Sequence, residues 1–208
     1  MFDFISDLTN ELDEISSNWW FILVILIIAL LDSVIPVVPS ETTVIIGGVA
    51  AGQGNQNILL VILAGAVGAF IGDNLAYMIG DRFKGRVYRW ADKKDSRRER
   101  LDGAGRQIRK RGGMLLITAR FIPGGRTLLT ISSGITQQPR AWFVGWIALA
   151  VTIWASYAGG LGYIFGNSFK DNHTLAFWLA FITALSITGM IEVVRWFRER
   201  RKDEAVAA

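Results

Sequence analysis

The 208-residue chain contains no cysteine and a single histidine, His173. Disulfide staples, thiol chemistry and Cys/His-rich zinc sites are therefore excluded. No lysine or arginine precedes Arg82. Proline occurs only at positions 36, 39, 123 and 139. Charge is scarce where the chain is most apolar. From Ile15 to Gly80 the only Asp, Glu, Lys or Arg residues are Asp32, Glu41 and Asp73, and from Gly112 to Phe169 they are Arg120, Arg126 and Arg140. The first apolar half thus carries only acids and the second only bases. This is not the pattern of a soluble globular enzyme.

Mean hydropathy is +0.36 even though the average includes Arg82 to Arg111, where thirteen Lys/Arg stand against four Asp/Glu. The remainder must be far more apolar than a soluble domain. Apolar blocks run over 19–51, 58–80, 114–137, 141–166 and 175–197. Blocks 58–80, 141–166 and 175–197 reach the roughly 20 residues that a helix needs to cross a bilayer. The expected class is an all-α integral membrane protein. Residues 1–18 hold five acids and no base, so they do not read as a cleaved secretory signal. Phe4, Leu8, Leu12, Ile15 and Trp19 recur at spacings of three and four, which predicts an amphipathic helix lying on the membrane surface or capping the bundle.

The basic stretch, expected as a loop over 81–112, and a second basic cluster at 195–202 both belong on the cytoplasmic side. If block 114–137 crossed fully, the second cluster would end outside. Phe121-Ile122-Pro123-Gly124-Gly125 breaks that block at its middle, leaving arms of about 11 residues, or roughly 16 Å of helix. Block 114–137 is therefore expected as a re-entrant hairpin from the cytoplasmic face. Pro36-Val37-Val38-Pro39-Ser40 breaks block 19–51 in a comparable way, and Pro36 to Ala51 should dip in from the outer face. The N-terminus fits either side. The plan is two opposed re-entrant helical hairpins plus three to four transmembrane helices, inverted-repeat-like, with a core over 19–166 and a tail over 198–208.

An isolated charge at the centre of a membrane helix costs about 2.5–3.5 kcal/mol. Acids and arginines brought together from opposite faces would neutralise one another. They would form either a structural ion-pair cluster or a substrate and proton site. Arg120 and Arg126 flank the Pro123-Gly124-Gly125 breaker. Guanidinium forks beside the free N–H groups of a helix start suit a phosphate. The alternative is that Arg126 only pairs with Glu41 or Asp32. Those two acids bracket the Pro36/Pro39 breaker and are candidates for proton coupling, whereas Ser40 or Glu41 could instead simply cap the second arm. Asp73 directly follows Gly68 and Gly72, a GxxxG face that reads as helix packing; Gly162 and Gly166 repeat the spacing.

Gly80 to Arg86 has Walker-like glycine spacing without the Lys-Ser/Thr pair, so a nucleotide-driven pump is not indicated. The basic stretch reads as a topology determinant and anionic-lipid contact, not as a nucleic-acid site. No enzyme activity, cofactor or metal is expected.

Asp32-Ser33-Val34-Ile35-Pro36-Val37-Val38-Pro39-Ser40-Glu41, the glycine-rich helix over Gly65–Gly85 with Asp73, and Arg120–Arg126 followed by Ser133-Gly134 and Pro139 resemble the DedA family, also called the SNARE-associated Golgi or VTT-domain family. The likeness covers roughly Asp32 to Gly166. It implies two opposed re-entrant hairpins and lipid movement across a membrane. Bacterial members recycle polyprenyl phosphate carriers such as undecaprenyl phosphate, and distant relatives are phospholipid scramblases. By the same resemblance, Asp32 and Glu41 take the places of the acids around the proline breaker, and Arg120 and Arg126 those of the paired arginines. Asp32 stands where many members have glutamate, with the same charge and a reach shorter by one methylene.

The expectation is a bacterial inner-membrane flippase returning a polyprenyl phosphate from the outer to the cytoplasmic leaflet, coupled to protons. Arg120 and Arg126 would hold the phosphate, Asp32 and Glu41 would exchange protons, and Asp73 would tune them. The partners are the anionic lipid, protons and the bilayer, with homo-oligomerisation left open. A phospholipid scramblase and a structural membrane scaffold are the alternatives.

Overall fold

A computed structural model describes residues 18–35, 40–121, 124–170, 175–186 and 189–190. All regular elements among these are helices: α1 (Phe21–Val34), α2 (Ser40–Gly52), α3 (Ile58–Ala91), α4 (Asp95–Arg111), α5 (Met114–Thr118), a 3-10 turn (Ala119–Phe121), α6 (Gly125–Ile135), α7 (Arg140–Ser168) and α8 (Leu175–Ser186). The expected amphipathic helix over 1–18 lies almost entirely outside the described residues, as do Pro36, Pro39, Pro123 and the basic cluster at 195–202. The expected span 175–197 is described only in part, through α8.

Among the described residues two helices are long and apolar enough to cross a membrane, α3 with 34 residues and α7 with 29. At 1.5 Å per residue they measure about 51 and 43 Å, beyond the ~30 Å hydrocarbon thickness. Leu59, Leu63, Val67, Ile71, Leu75 and Met78 form an exposed stripe along α3 at helical spacing. Such a continuous apolar stripe has no stable place in water and suits contact with lipid. The stripe gives way to Arg82, Arg86 and Arg89 as α3 runs on to Ala91. The basic stretch is thus helix rather than irregular loop, first as the end of α3 and then as α4. Its local chemistry accounts for this. Arg98 pairs with Asp102 one turn on at 3.1 Å and with Asp92 at 2.6 Å, and Ile108 anchors the helix as a buried contact.

The shorter helices cross-pack onto the long ones. α1 lies along α3, α2 along α7, and α6 back along α3. Small residues set these contacts. On α3, a Cβ at Gly68 would run into the Leu26 carbonyl oxygen, and one at Gly72 into the Leu30 carbonyl and the Ser33 Cβ. Between α2 and α7 the relation is reciprocal: Gly48 faces the Gly159 carbonyl, and Gly162 faces the Ile45 carbonyl. Between α3 and α6 it is reciprocal again, with Gly80 against the Ile131 carbonyl and Gly134 against the Tyr77 carbonyl. Backbones approach this closely only where no side chain intervenes. The second arm of each broken element therefore packs on the long helix that follows the other broken element. Ile25, Ala29, Val44, Ile45, Val61, Phe143, Ile147 and Trp154 fill the apolar core between them.

Gly134→Ala should destabilise the protein by about 1–3 kcal/mol through forced separation of α3 and α6. Gly160→Ala, where an added Cβ meets nothing within 4 Å, should stay within about 0.5 kcal/mol of wild type. Unfolding of both variants in one detergent checks this, and equal stabilities would show that the close approach is not needed.

Candidate functional site

The site forms where the two broken elements meet α3. Asp32 and Ser33 lie in the last turn of α1, and Ser40 and Glu41 in the first turn of α2. Asp73 projects from within the apolar part of α3. Arg120 lies in the 3-10 turn after α5, and Arg126 and Thr127 in the first turn of α6. The local sequence explains these breaks. Gly124 caps α6 with a φ of 71°, a left-handed conformation that favours glycine, so the helix starts afresh at Gly125 immediately before Arg126. The first N–H groups of α2 and α6 lack intrahelical acceptors and carry the positive ends of their helix dipoles towards the acids.

The four charges form a chain. Arg120 Nη1 donates to Asp73 Oδ2 at 2.5 Å. The other Asp73 oxygen lies 3.8 Å from Arg126 Nε, and Arg126 Nη2 reaches Asp32 Oδ2 at 3.1 Å. Ser40 Oγ donates to the same Asp32 oxygen, linking the two sides of the break at 36–39. Asp73 therefore contacts both arginines and occupies the centre of the cluster, a more central place than the tuning role expected for it. Glu41 has no ion-pair partner within 4 Å among the described residues, but it lies within electrostatic reach of Asp32, Arg126 and Tyr157.

The two arginines occupy different environments. The Arg120 and Asp73 side chains are 1% and 0% exposed, whereas Arg126 and Asp32 are 12% and 16% exposed. Arg120 also stacks its guanidinium 5.4 Å from the Trp154 ring centroid. Even so, its Nε and Nη2 are buried without a hydrogen-bond acceptor, and Asp73 Oδ1 is likewise without a donor. Buried donors of a cation normally find acceptors. Two vacant donor positions beside an accessible second arginine can take oxygens of an anionic group.

Hydroxyl side chains not singled out from the sequence hold this region together. Ser33 Oγ donates to the Ala29 and Ala69 carbonyls at 3.1 and 3.3 Å, tying α1 to α3 one turn before Asp73. Thr127 Oγ1 donates to the Ser33 carbonyl at 3.2 Å, tying α6 to α1. Their signal was their presence as hydroxyls inside apolar runs. Trp154 gave none, since a tryptophan in a membrane helix is equally at home facing lipid. Among the described residues no group of three or more potential metal ligands forms.

The VTT-domain family profile matches residues 35–164, which include Glu41, Asp73, Arg120 and Arg126 and leave Asp32 just outside. Inner membrane protein YohD of Escherichia coli (strain K12) is 32% identical over 161 residues, covering 74% of this chain and 80% of that protein. Protein DedA of the same organism is 27% identical over 140 residues, covering 67% and 64%. Undecaprenyl phosphate transporter A of Bacillus subtilis (strain 168) is 27% identical over 155 residues, covering 73% and 76%. No solved structure gives a significant match.

Removing one partner of a buried pair strands the other charge. Asp73→Ala should therefore cost about 3–5 kcal/mol and Asp32→Ala clearly less, because Asp32 is partly exposed. Replacing both partners, as Asp73→Leu with Arg120→Met, should recover most of the loss. Unfolding measurements on the three variants check this; an Asp32 variant as unstable as the Asp73 variant would reverse the assignment of the central acid.

Proposed function

This chain belongs to the VTT-domain (DedA) family of membrane proteins, and we propose that it is a proton-coupled flippase that returns a polyprenyl phosphate from the outer to the cytoplasmic leaflet of a bacterial inner membrane. The observation that carries this reading is the pair of vacant donors on buried Arg120 beside the more accessible Arg126. The relative named as an undecaprenyl phosphate transporter supports the choice of lipid.

The geometry suggests an order of events. The phosphate meets Arg126 first and extends towards Arg120 Nε and Nη2. Its prenyl tail remains in the bilayer. Taking Arg126 away from Asp32 leaves that carboxylate without its cation, and Asp32 is the first proton carrier. Glu41, which shares the field of Asp32 and Arg126, is the second proton carrier. Asp73 holds the arginines in place when the site is empty. A headgroup neutralised by guanidinium groups and protons crosses the apolar layer at lower cost than a free anion.

The helices of the broken elements fit re-entrant hairpins. α2 has 13 residues and α6 has 11; at about 20 and 16 Å, neither spans ~30 Å of hydrocarbon. The hairpin of α1 and α2 is taken to enter from the outer face and that of α5 and α6 from the cytoplasmic face, so each gates one side. With the α4 end of the molecule cytoplasmic, this is the inverted plan expected from the charge pattern.

One observation favours a second reading, a structural lock. The Arg120–Asp73 pair is fully sequestered and joins the α5–α6 element to α3. Transport by lysine variants separates the two. In proteoliposomes carrying polyprenyl phosphate, Arg126→Lys keeps the charge but loses the planar donor fork, and should slow transport about 10- to 100-fold with little loss of thermal stability. Wild-type transport in both Arg126→Lys and Arg120→Lys would leave the structural lock as the better account. Asp32→Asn and Glu41→Gln should each flatten the dependence of transport on the pH gradient; an unchanged dependence in both would remove proton coupling.

A further inference from the structure

A second polar site lies at the far end of α6 from Arg126. α4, the end of α3 and the α6–α7 turn enclose a cleft of about 530 Å³ lined by Arg106, Arg109, Lys110, Asp102, Thr136 and Gln138, among others. The ion-pair cluster contributes no residue to its lining. Gly105 allows the walls to approach, since a Cβ there would lie 3.1 Å from the Thr136 Cβ.

The two sides of the cleft differ in chemistry. Arg106, Arg109 and Lys110 make no ion pair within 4 Å among the described residues, whereas Asp102 is engaged by Arg98. Three cations without ion pairs within about one turn of α4 call for an anion. Opposite them, Gln138 is 2% exposed and held in a fixed orientation. Its Nε2 donates to the Gly105 carbonyl at 3.2 Å and to Thr136 Oγ1 at 3.1 Å, and its backbone carbonyl accepts from the Tyr77 hydroxyl at 2.6 Å. Its Oε1 is buried with no donor. Gln138 lines the same cleft as the three cations, and an orphaned acceptor there is complemented by a group that carries a negative charge and a hydrogen-bond donor together.

We infer that this cleft binds a phosphodiester bearing a hydroxyl, the headgroup chemistry of a glycerol-type anionic phospholipid in the adjoining leaflet. The phosphate lies among Arg106, Arg109 and Lys110, and the hydroxyl donates to Gln138 Oε1. A lipid source fits the location. The exposed apolar stripe of α3 leads towards this end of the molecule, and the exposed Phe83 and Trp90 lie within the basic segment. The site does not depend on polyprenyl phosphate transport. Because α6 carries Arg126 at one end and the cleft wall at the other, an occupied cleft holds α6 against α4.

Short-chain phosphatidylglycerol, phosphatidylcholine, glycerol phosphate and inorganic phosphate, each titrated against full-length protein in neutral detergent, test the site by thermal shift. Saturable stabilisation is expected from phosphatidylglycerol alone. It should be lost when Arg106→Gln, Arg109→Gln and Lys110→Gln are combined, and kept when Lys93→Gln, Lys94→Gln and Arg100→Gln remove the same charge outside the cleft. Arg126→Ala should retain it, which distinguishes this site from the ion-pair cluster. Gln138→Leu should reduce the stabilisation by phosphatidylglycerol to that given to the wild type by phosphatidylmethanol, a phosphodiester without the hydroxyl. Equal loss in both triple variants would overturn the site in favour of diffuse attraction, and equal protection by glycerol phosphate or inorganic phosphate would overturn the lipid assignment.

Discussion

Two guanidinium groups and the carboxylates that answer them are enclosed in an otherwise apolar bundle, and the positions of the surrounding helices follow from that requirement. Neither sign is tolerable alone at this depth. Acids supplied by the first half and bases supplied by the second are neutralised only if the two halves interlock. Asp73 makes the interlock specific by contacting both arginines from a continuous helix, while Asp32 and Ser40 span the break in the first element. The cluster therefore joins the two halves of the fold.

Getting charged helix ends to one point requires close helix approach. Glycines at 68, 72, 80 and 134 supply it around α3, and those at 48, 52, 162 and 166 supply it between α2 and α7. Hydroxyl groups complete the job where backbone carbonyls would otherwise face apolar neighbours: Ser33 and Thr127 link α1, α3 and α6 within one turn of the ion pairs. The same residues that let the backbones touch leave the lipid-facing side to Leu59, Leu63 and their successors.

Much of this was legible from residue order. The opposite-signed halves anticipated ion pairing, and Arg126 does reach Asp32 as the alternative reading of that arginine had it. The GxxxG spacing at Gly68 and Gly72 announced a packing face. The central place of Asp73 was not legible, because which acid meets which arginine depends on the rotation of α3 about its axis and not on distance along the chain. The helicity of the basic stretch was hidden for a different reason. Its charges mask any apolar periodicity, and only the Arg98–Asp102 spacing and isolated apolar anchors such as Ile108 betray a helix. The inequality of Arg120 and Arg126 was also invisible, since both flank the same breaker with identical chemistry.

The closest approaches of α2 to α7 and of α6 to α3 are made by glycine against carbonyl oxygen. Helices that meet through interdigitated leucines must lift each side chain out of its socket before they can move past one another. Glycine against bare backbone has little to unseat. At those points α2 and α6 have no interlocking side chains to hold them in axial register. For α6 the register is held instead by the ion pairs of Arg126 with Asp32 and Asp73, which a slide along α3 has to stretch.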